Sequence, residues 1–225
     1  LSGIIKDAQP ACQLQSHEYH KMISEGSSGN HELSNLPGIL ISRISSTGKE
    51  QFHLPQIKPD DIALLQYSSG TTGCPKGSVI THKNIMHNSV VIQKAFNHDP
   101  DMVVVTWLPL YHDMGLIGTL LQPIFMGGTN IIINPYDFLR NPVIWLEAIS
   151  KYNGTTAGCP NFALDLLAER ISEEQKETID LGSLKVFFCG SEPVRKASLD
   201  RFRQAFAKCG FREDMYLPCY GLAEN

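Results

Sequence analysis

From Val103 onward, short runs rich in β-branched side chains alternate with longer stretches whose apolar residues recur at helical spacing, and this alternation leaves few folds open. Val103-Val104-Val105-Thr106-Trp107 reads as a strand. Met114 to Met126 carries Leu116, Ile117, Leu120, Leu121, Ile124 and Phe125 at helical spacing, and Gly127-Gly128 stops it before a strand over Thr129 to Ile133. Pro142 suits the first position of a helix reaching Tyr152. Thr155 to Ala157 then reads as a strand, Asn161 to Ile171 as a helix, Leu184 to Cys189 as a strand, Val194 to Lys208 as a helix and Met215 to Leu217 as a short strand. Such alternation with short connections predicts an α/β fold around a largely parallel sheet with right-handed crossovers. The N-terminal part is less regular. Leu1, Ile4 and Ile5 resemble the end of an amphipathic helix, Ala11 to Gln15 and Ile39 to Ile41 read as strands, and 21–38 and 45–60 read as loops.

The chemically distinctive stretch is Tyr67-Ser-Ser-Gly-Thr-Thr-Gly-Cys-Pro-Lys-Gly-Ser78. It follows Ile62 to Tyr67, a nearly continuous apolar run of the kind found in strands buried on both faces of a parallel sheet. Beyond it, Thr81 suits the N-cap of a helix from His82 to Ala95, with Ile85, Val90, Val91 and Ala95 on one face. The expected order is therefore strand, loop, short connection and helix. Gly70 and Gly73 let backbone N–H groups turn inward, Ser68, Ser69, Thr71 and Thr72 supply hydroxyls, and Lys76 adds a mobile point charge. That composition suits the phosphates of ATP. The Walker A pattern fails here, because it needs Gly before the Lys and Ser or Thr after it, whereas the neighbours are Pro75 and Gly77.

Ligands of parallel α/β sheets bind beyond the carboxyl ends of strands, and four unusual segments fall at such ends. Leu108 to Leu116 holds Tyr111, His112 and Asp113 at a helix start, where Asp113 is expected as the N-cap. Thr156 to Ala163 has small residues before Pro160 and Phe162, which allow a ligand close to the backbone; Phe162 taken alone reads as core. Cys189-Gly-Ser-Glu-Pro-Val194 joins a strand to a helix N-terminus with free N–H groups. Tyr216 to Glu224 closes the chain with Tyr220, Gly221 and a carboxylate.

Tyr67 to Gly77, followed by Thr81-His82-Lys83-Asn84, resembles the signature of the adenylate-forming superfamily of acyl-CoA synthetases, luciferases and amino-acid adenylation domains. Leu108-Pro-Leu-Tyr-His-Asp-Met-Gly-Leu116 and Gly158-Cys-Pro-Asn-Phe-Ala163 are similar to motifs of its long-chain fatty acyl-AMP ligase branch. The resemblance covers residues from about 40 to 225. It implies that Ser68, Ser69, Gly70, Thr71, Thr72, Gly73 and Lys76 hold the β- and γ-phosphates of ATP, with Thr72 and Lys76 acting in catalysis. It also places Gly190, Ser191, Glu192 and Pro193 around the purine, packs Tyr220 and Gly221 by the adenine, sets His112 beside the acyl carboxylate, and gives Mg²⁺ to Glu224. A single carboxylate suits Mg²⁺, which completes its shell with phosphate oxygens and water.

The implied reaction joins a fatty acid to AMP with release of pyrophosphate, and then transfers the acyl group to the phosphopantetheine of an acyl carrier protein. An acyl-CoA synthetase, or a catalytically silent adenylation-like module, are the alternatives. The resemblance further implies that 1–225 is part of a large N-terminal domain, incomplete at both ends and without the mobile C-terminal domain, so the isolated chain is expected to be inactive.

The remaining properties restrict partners. A net charge of −4 with interspersed signs gives neither a nucleic-acid footprint nor a basic membrane stripe. No apolar stretch approaches the ~18 residues that span a bilayer, and no signal pattern opens the chain, so a cytoplasmic protein is expected. Cys12, Cys74, Cys159, Cys189, Cys209 and Cys219 form no C-x-x-C pair and read as reduced thiols. His17 and His20 lack a partner at ligand spacing, and no metal is expected there.

Overall fold

A computed structural model describes residues 2–24, 35–44, 53–68 and 75–223, which fall into two units, Leu1–His82 and Lys83–Ala223. In the first, α1 (Ser2–Ala8), β1 (Gln13–Gln15), α2 (His17–Ser24) and β2 (Gly38–Leu40) follow one another, with β2 parallel to β1. The end of α2 falls where a loop is expected, because only Tyr19, Met22 and Ile23 mark an apolar side on it. Gln15 is buried beside it, with its amide oxygen 2.7 Å from His20 Nδ1.

The distinctive loop has a different frame from the one expected. β3 (Ile62–Ser68) pairs antiparallel with β4 (Lys76–Thr81), from Ser68↔Lys76 to Ile62↔Thr81. Ile62, Leu65 and Val79 are exposed, so β3 is neither in a parallel sheet nor buried on both faces. The segment expected as a short connection is itself a strand. Its β-branched residues Val79, Ile80 and Thr81 provide the tendency, and Gly77 provides the space, since a Cβ there would lie 2.8 Å from Tyr67 Cζ. An apolar run states that a strand forms but not which strand it meets. Helix α3 (His82–Phe96) then starts where expected.

The second unit follows the predicted alternation closely. β5 (Val103–Thr106) leads into a helical run over 113–126, α4, made of α-helical turns at Asp113–Gly115 and Gln122–Met126 around a π-helical stretch at Leu116–Leu121. Gly127 ends it in the left-handed conformation (φ 74°), with its N–H bonded to the Ile124 carbonyl and that of Gly128 to the Pro123 carbonyl. Next come β6 (Thr129–Ile132), α5 (Pro135–Arg140), α6 (Val143–Tyr152), β7 (Thr156–Pro160), α7 (Asn161–Arg170), α8 (Glu173–Lys176), β8 (Val186–Gly190), α9 (Lys196–Phe206) and β9 (Tyr216–Pro218). The five strands form one sheet in the order β6-β5-β7-β8-β9, and every neighbouring pair is parallel.

Two short helices lie in stretches left unassigned from sequence. Asn134-Pro135 caps and starts α5, and Ser172 with Gln175 forms the capping box of α8. All of β8 is buried, as its unbroken apolar run predicts. Aromatic rings fill the core: Trp107 stacks on Phe138 at 3.8 Å, Trp145 meets both edge-on and lies 5.7 Å from Phe187, and Phe187 stacks on Phe202 at 5.3 Å.

His98 has a testable consequence for stability. It is buried, edge-on to Phe96, with Nε2 3.2 Å from Thr156 Oγ1 and Nδ1 unpartnered among the described residues. Burial pushes its pKa down from 6.5 to about 4, with the Asp99 carboxylate opposing that shift in part. Between those values the unfolded chain binds a proton that the folded chain refuses. This contribution is therefore constant above pH 6.5 and is lost as pH falls toward 4, by about 3 kcal/mol at most. Urea unfolding of the full-length protein should show this slope between pH 7 and 4. His98→Gln should flatten it.

Candidate active site

The chain leaves β5 for β6 on one side and returns to β7 on the other, so strand order reverses between β5 and β7. β5 and β7 meet at Val104↔Thr156, reinforced by the Thr155 N–H to Val103 carbonyl bond, and part beyond it. β7 and β8 instead stay paired from Thr156↔Val186 to Pro160↔Gly190. A crevice beyond the carboxyl ends at such a reversal is where ligands of open α/β sheets bind.

The segment after β5 folds back on itself. His112 N–H donates to the Pro109 carbonyl, and a Cβ on Gly115 would lie 2.2 Å from that same oxygen, so only glycine fits. The helix begins at Asp113, which gives the N-cap position to His112 and corrects the expectation for Asp113. Asp113 still accepts an end N–H, that of Met114, at 2.6 Å. His112 Nδ1 lies 2.7 Å from Asp113 Oδ1 and 3.2 Å from Met114 N. One ring nitrogen cannot both donate to a carboxylate and accept from an N–H. The two shorter contacts agree if Nδ1–H of this half-exposed ring donates to Asp113.

At the end of β7, Pro160 occupies the N-cap of α7 and supplies no capping side chain. Glu192, thirty positions later, accepts the Phe162 N–H at 2.7 Å. Asn161 is 4% exposed; its Oδ1 accepts the Arg195 N–H at 2.8 Å and its Nδ2 donates to Ser198 Oγ at 3.1 Å. Ser198 in turn donates to Asp165, whose other oxygen receives both Nε and Nη2 of Arg201. Two sequence expectations change here. Gly158 makes room for a ring and not for a ligand, since a Cβ on it would come within 2.3 Å of Phe188 Cζ. Phe162 is 44% exposed, edge-on to Trp107 at 6.1 Å, and is not core.

After β8, Gly190 is pressed against Cys219, with Sγ 2.7 Å and the carbonyl oxygen 2.9 Å from where its Cβ would stand. Ser191 adopts a left-handed conformation (φ 66°), and its hydroxyl donates to Met114 Sδ at 2.9 Å. Three segments thus converge in this unit: 112–114, 160–162 and 190–195. After β9, Tyr220 is 86% exposed and a Cβ on Gly221 would touch nothing. Burial pushes the Cys159 thiol well up and that of Cys219 to about 11, so neither is a thiolate nucleophile near neutral pH.

In the other unit, Ser68 and Lys76 face each other at the mouth of the β3–β4 hairpin, both exposed. Ser69, Gly70, Thr71, Thr72, Gly73 and Glu224 lie outside the described residues. Among the described residues, no group of three or more His, Cys, Asp or Glu side chains is placed to hold a metal ion, and no helix is long and apolar enough to cross a membrane.

A parallel α/β sheet with three loops converging where its strand order reverses is the arrangement at which open α/β proteins take small ligands. The particular lineage comes from comparison: the chain belongs to the AMP-binding enzyme family, whose model matches residues 1–225. It is 46% identical over 183 residues to the medium-chain-fatty-acid–acyl-carrier-protein ligase TtuA of Teredinibacter turnerae, covering 81% of this chain and 28% of that protein. It is 35% identical to the corresponding ligase JamA of Moorena producens over all of this chain and 38% of that one. Its fold superposes with a TM-score of 0.90 on a fatty acyl-adenylate ligase of L. pneumophila solved with acyl adenylate and pyrophosphate, at 39% identity, covering 99% of this chain and 38% of that one. The chain therefore spans well under half the length of these relatives.

Proposed function

We propose that this chain carries part of the adenylating site of a fatty acyl-AMP ligase, within a larger N-terminal domain. The observation that carries the reading is the convergence of 112–114, 160–162 and 190–195 at the strand-order reversal, in a chain of the AMP-binding family. A fatty acid carboxylate oxygen attacks the α-phosphorus of ATP, the bond to the bridging oxygen of pyrophosphate breaks, and acyl-AMP and pyrophosphate result. The phosphopantetheine thiol of an acyl carrier protein then attacks the acyl carbon and AMP leaves. Such a reaction gains most from alignment and from fixed charge facing the phosphates.

Ser68 and Lys76 bring a hydroxyl and an ammonium to either end of residues 69–74, a donor set that fits a polyphosphate. Together with Ser69, Gly70, Thr71, Thr72 and Gly73 they bind the β- and γ-phosphates. The 190–193 turn and Tyr220 with Gly221 receive the adenine, and His112 sits by the acyl carboxylate. Glu224 would hold Mg²⁺, whose charge offsets that of the departing pyrophosphate. A reaction that consumes ATP is in keeping with a cytoplasmic location, which we propose for it.

The test is exchange of labelled pyrophosphate into ATP by the full-length protein across a panel of fatty acids. Fatty-acid-dependent exchange is expected, with product accumulating on carrier protein well above any acyl-CoA. Exchange with no fatty acid in the panel overturns the reading, and equal formation of acyl-CoA moves the protein to the acyl-CoA synthetases.

A further inference from the structure

The resemblance places Glu192 around the purine, yet its carboxylate is engaged elsewhere. Helix α7 opens on a proline that offers no side-chain oxygen, so the N–H groups of its first turn need an acceptor from outside. Glu192 supplies it, and its negative charge is favoured at a helix N-terminus. The support runs in both directions. Asn161, the first residue of α7, uses its amide oxygen on Arg195 and its amide nitrogen on Ser198, at the start of α9. Each strand-to-helix turn thus holds the start of the other's helix. Ser191, the neighbour of Glu192, adopts a left-handed conformation, which costs a non-glycine residue about 1 kcal/mol or more and persists only where the surroundings impose it.

We infer that Glu192 is a positioning residue that locks the adenine-side turn 190–193 to the acyl-side segment 160–162, so that the two halves of the site move as one piece. The inference rests on the adenylating reading proposed above. The acceptor oxygen is what matters, because the partner is a backbone N–H and not a cation. Loss of the latch therefore misaligns both substrates, whereas loss of a purine contact would weaken ATP alone.

The experiment compares Glu192→Ala and Glu192→Gln in the full-length protein. In pyrophosphate exchange, Glu192→Ala is expected to raise KM for ATP and for the fatty acid together, each about tenfold. Glu192→Gln keeps an oxygen facing Phe162 N–H and should recover most of that loss. Amide hydrogen exchange provides a readout without turnover: Phe162 and Arg195 N–H should exchange faster in Glu192→Ala, with the cooperative fold retained. A rise confined to the KM for ATP overturns the inference, and so does unaltered Phe162 protection in Glu192→Ala. If the unmodified protein lacks exchange activity, the adenylating reading fails by itself, and the amide protection still decides whether the latch exists.

Discussion

Lys76→Ala in the full-length protein is expected to lower fatty-acid-dependent pyrophosphate exchange by about a hundredfold or more, with the melting temperature unchanged. The magnitude is that of removing a fixed charge from groups whose charge is redistributed in the transition state. The unchanged stability follows from position. Lys76 is the exposed first residue of β4, and surface substitutions away from special features stay within about 0.5 kcal/mol. Lys76→Arg should recover only part of the activity, since a planar fork cannot follow a phosphate chain as a flexible ammonium does. Exchange that survives Lys76→Ala intact would remove the 68–76 segment from phosphate binding.

The largest structural effect is expected at Gly115. An added methyl would stand 2.2 Å from the Pro109 carbonyl oxygen and 2.9 Å from its carbon, and these are backbone atoms with no rotamer to yield. The turn through His112 must open for Gly115→Ala to fit, at a cost of about 3 kcal/mol. Both the melting temperature and the exchange rate should fall. Gly118→Ala, three residues along the same helical run, is the control: its methyl would meet only Phe188 Cζ, at an ordinary 3.8 Å. Equal melting temperatures for the two variants would show that the 108–116 turn is not closed on itself as described.

Much of the second unit was legible in the sequence, because its elements depend on local pattern. Val103 to Trp107 and Leu184 to Cys189 announce strands, and Gly127 announces a helix end, within a residue or two of where they fall. Errors gather where local pattern is neutral about partners. The run Ile62 to Tyr67 looks the same whether it enters a parallel sheet or a hairpin. Phe162 looks like core until Trp107 is found on one side of it and solvent on the other. Gly158 looks like an opening for a ligand until the ring of Phe188, thirty residues away, is seen to need that space.

The hairpin loop and the strand-end segments were visible as chemistry from residue types and spacing: hydroxyls, glycines and one lysine at 68–76, and an imidazole beside a carboxylate at 112–113. The sequence by itself determined the alternation of the principal elements beyond Val103, the α/β class and the residues worth testing, since periodicity and turn chemistry act over a few neighbours. Only the tertiary structure decided that β4 turns back on β3, that strand order reverses between β5 and β7, and that Glu192 accepts an N–H of a helix residue thirty positions earlier. Backbone donors and acceptors are nearly the same in every residue. Which of them meet is settled by packing across the whole fold.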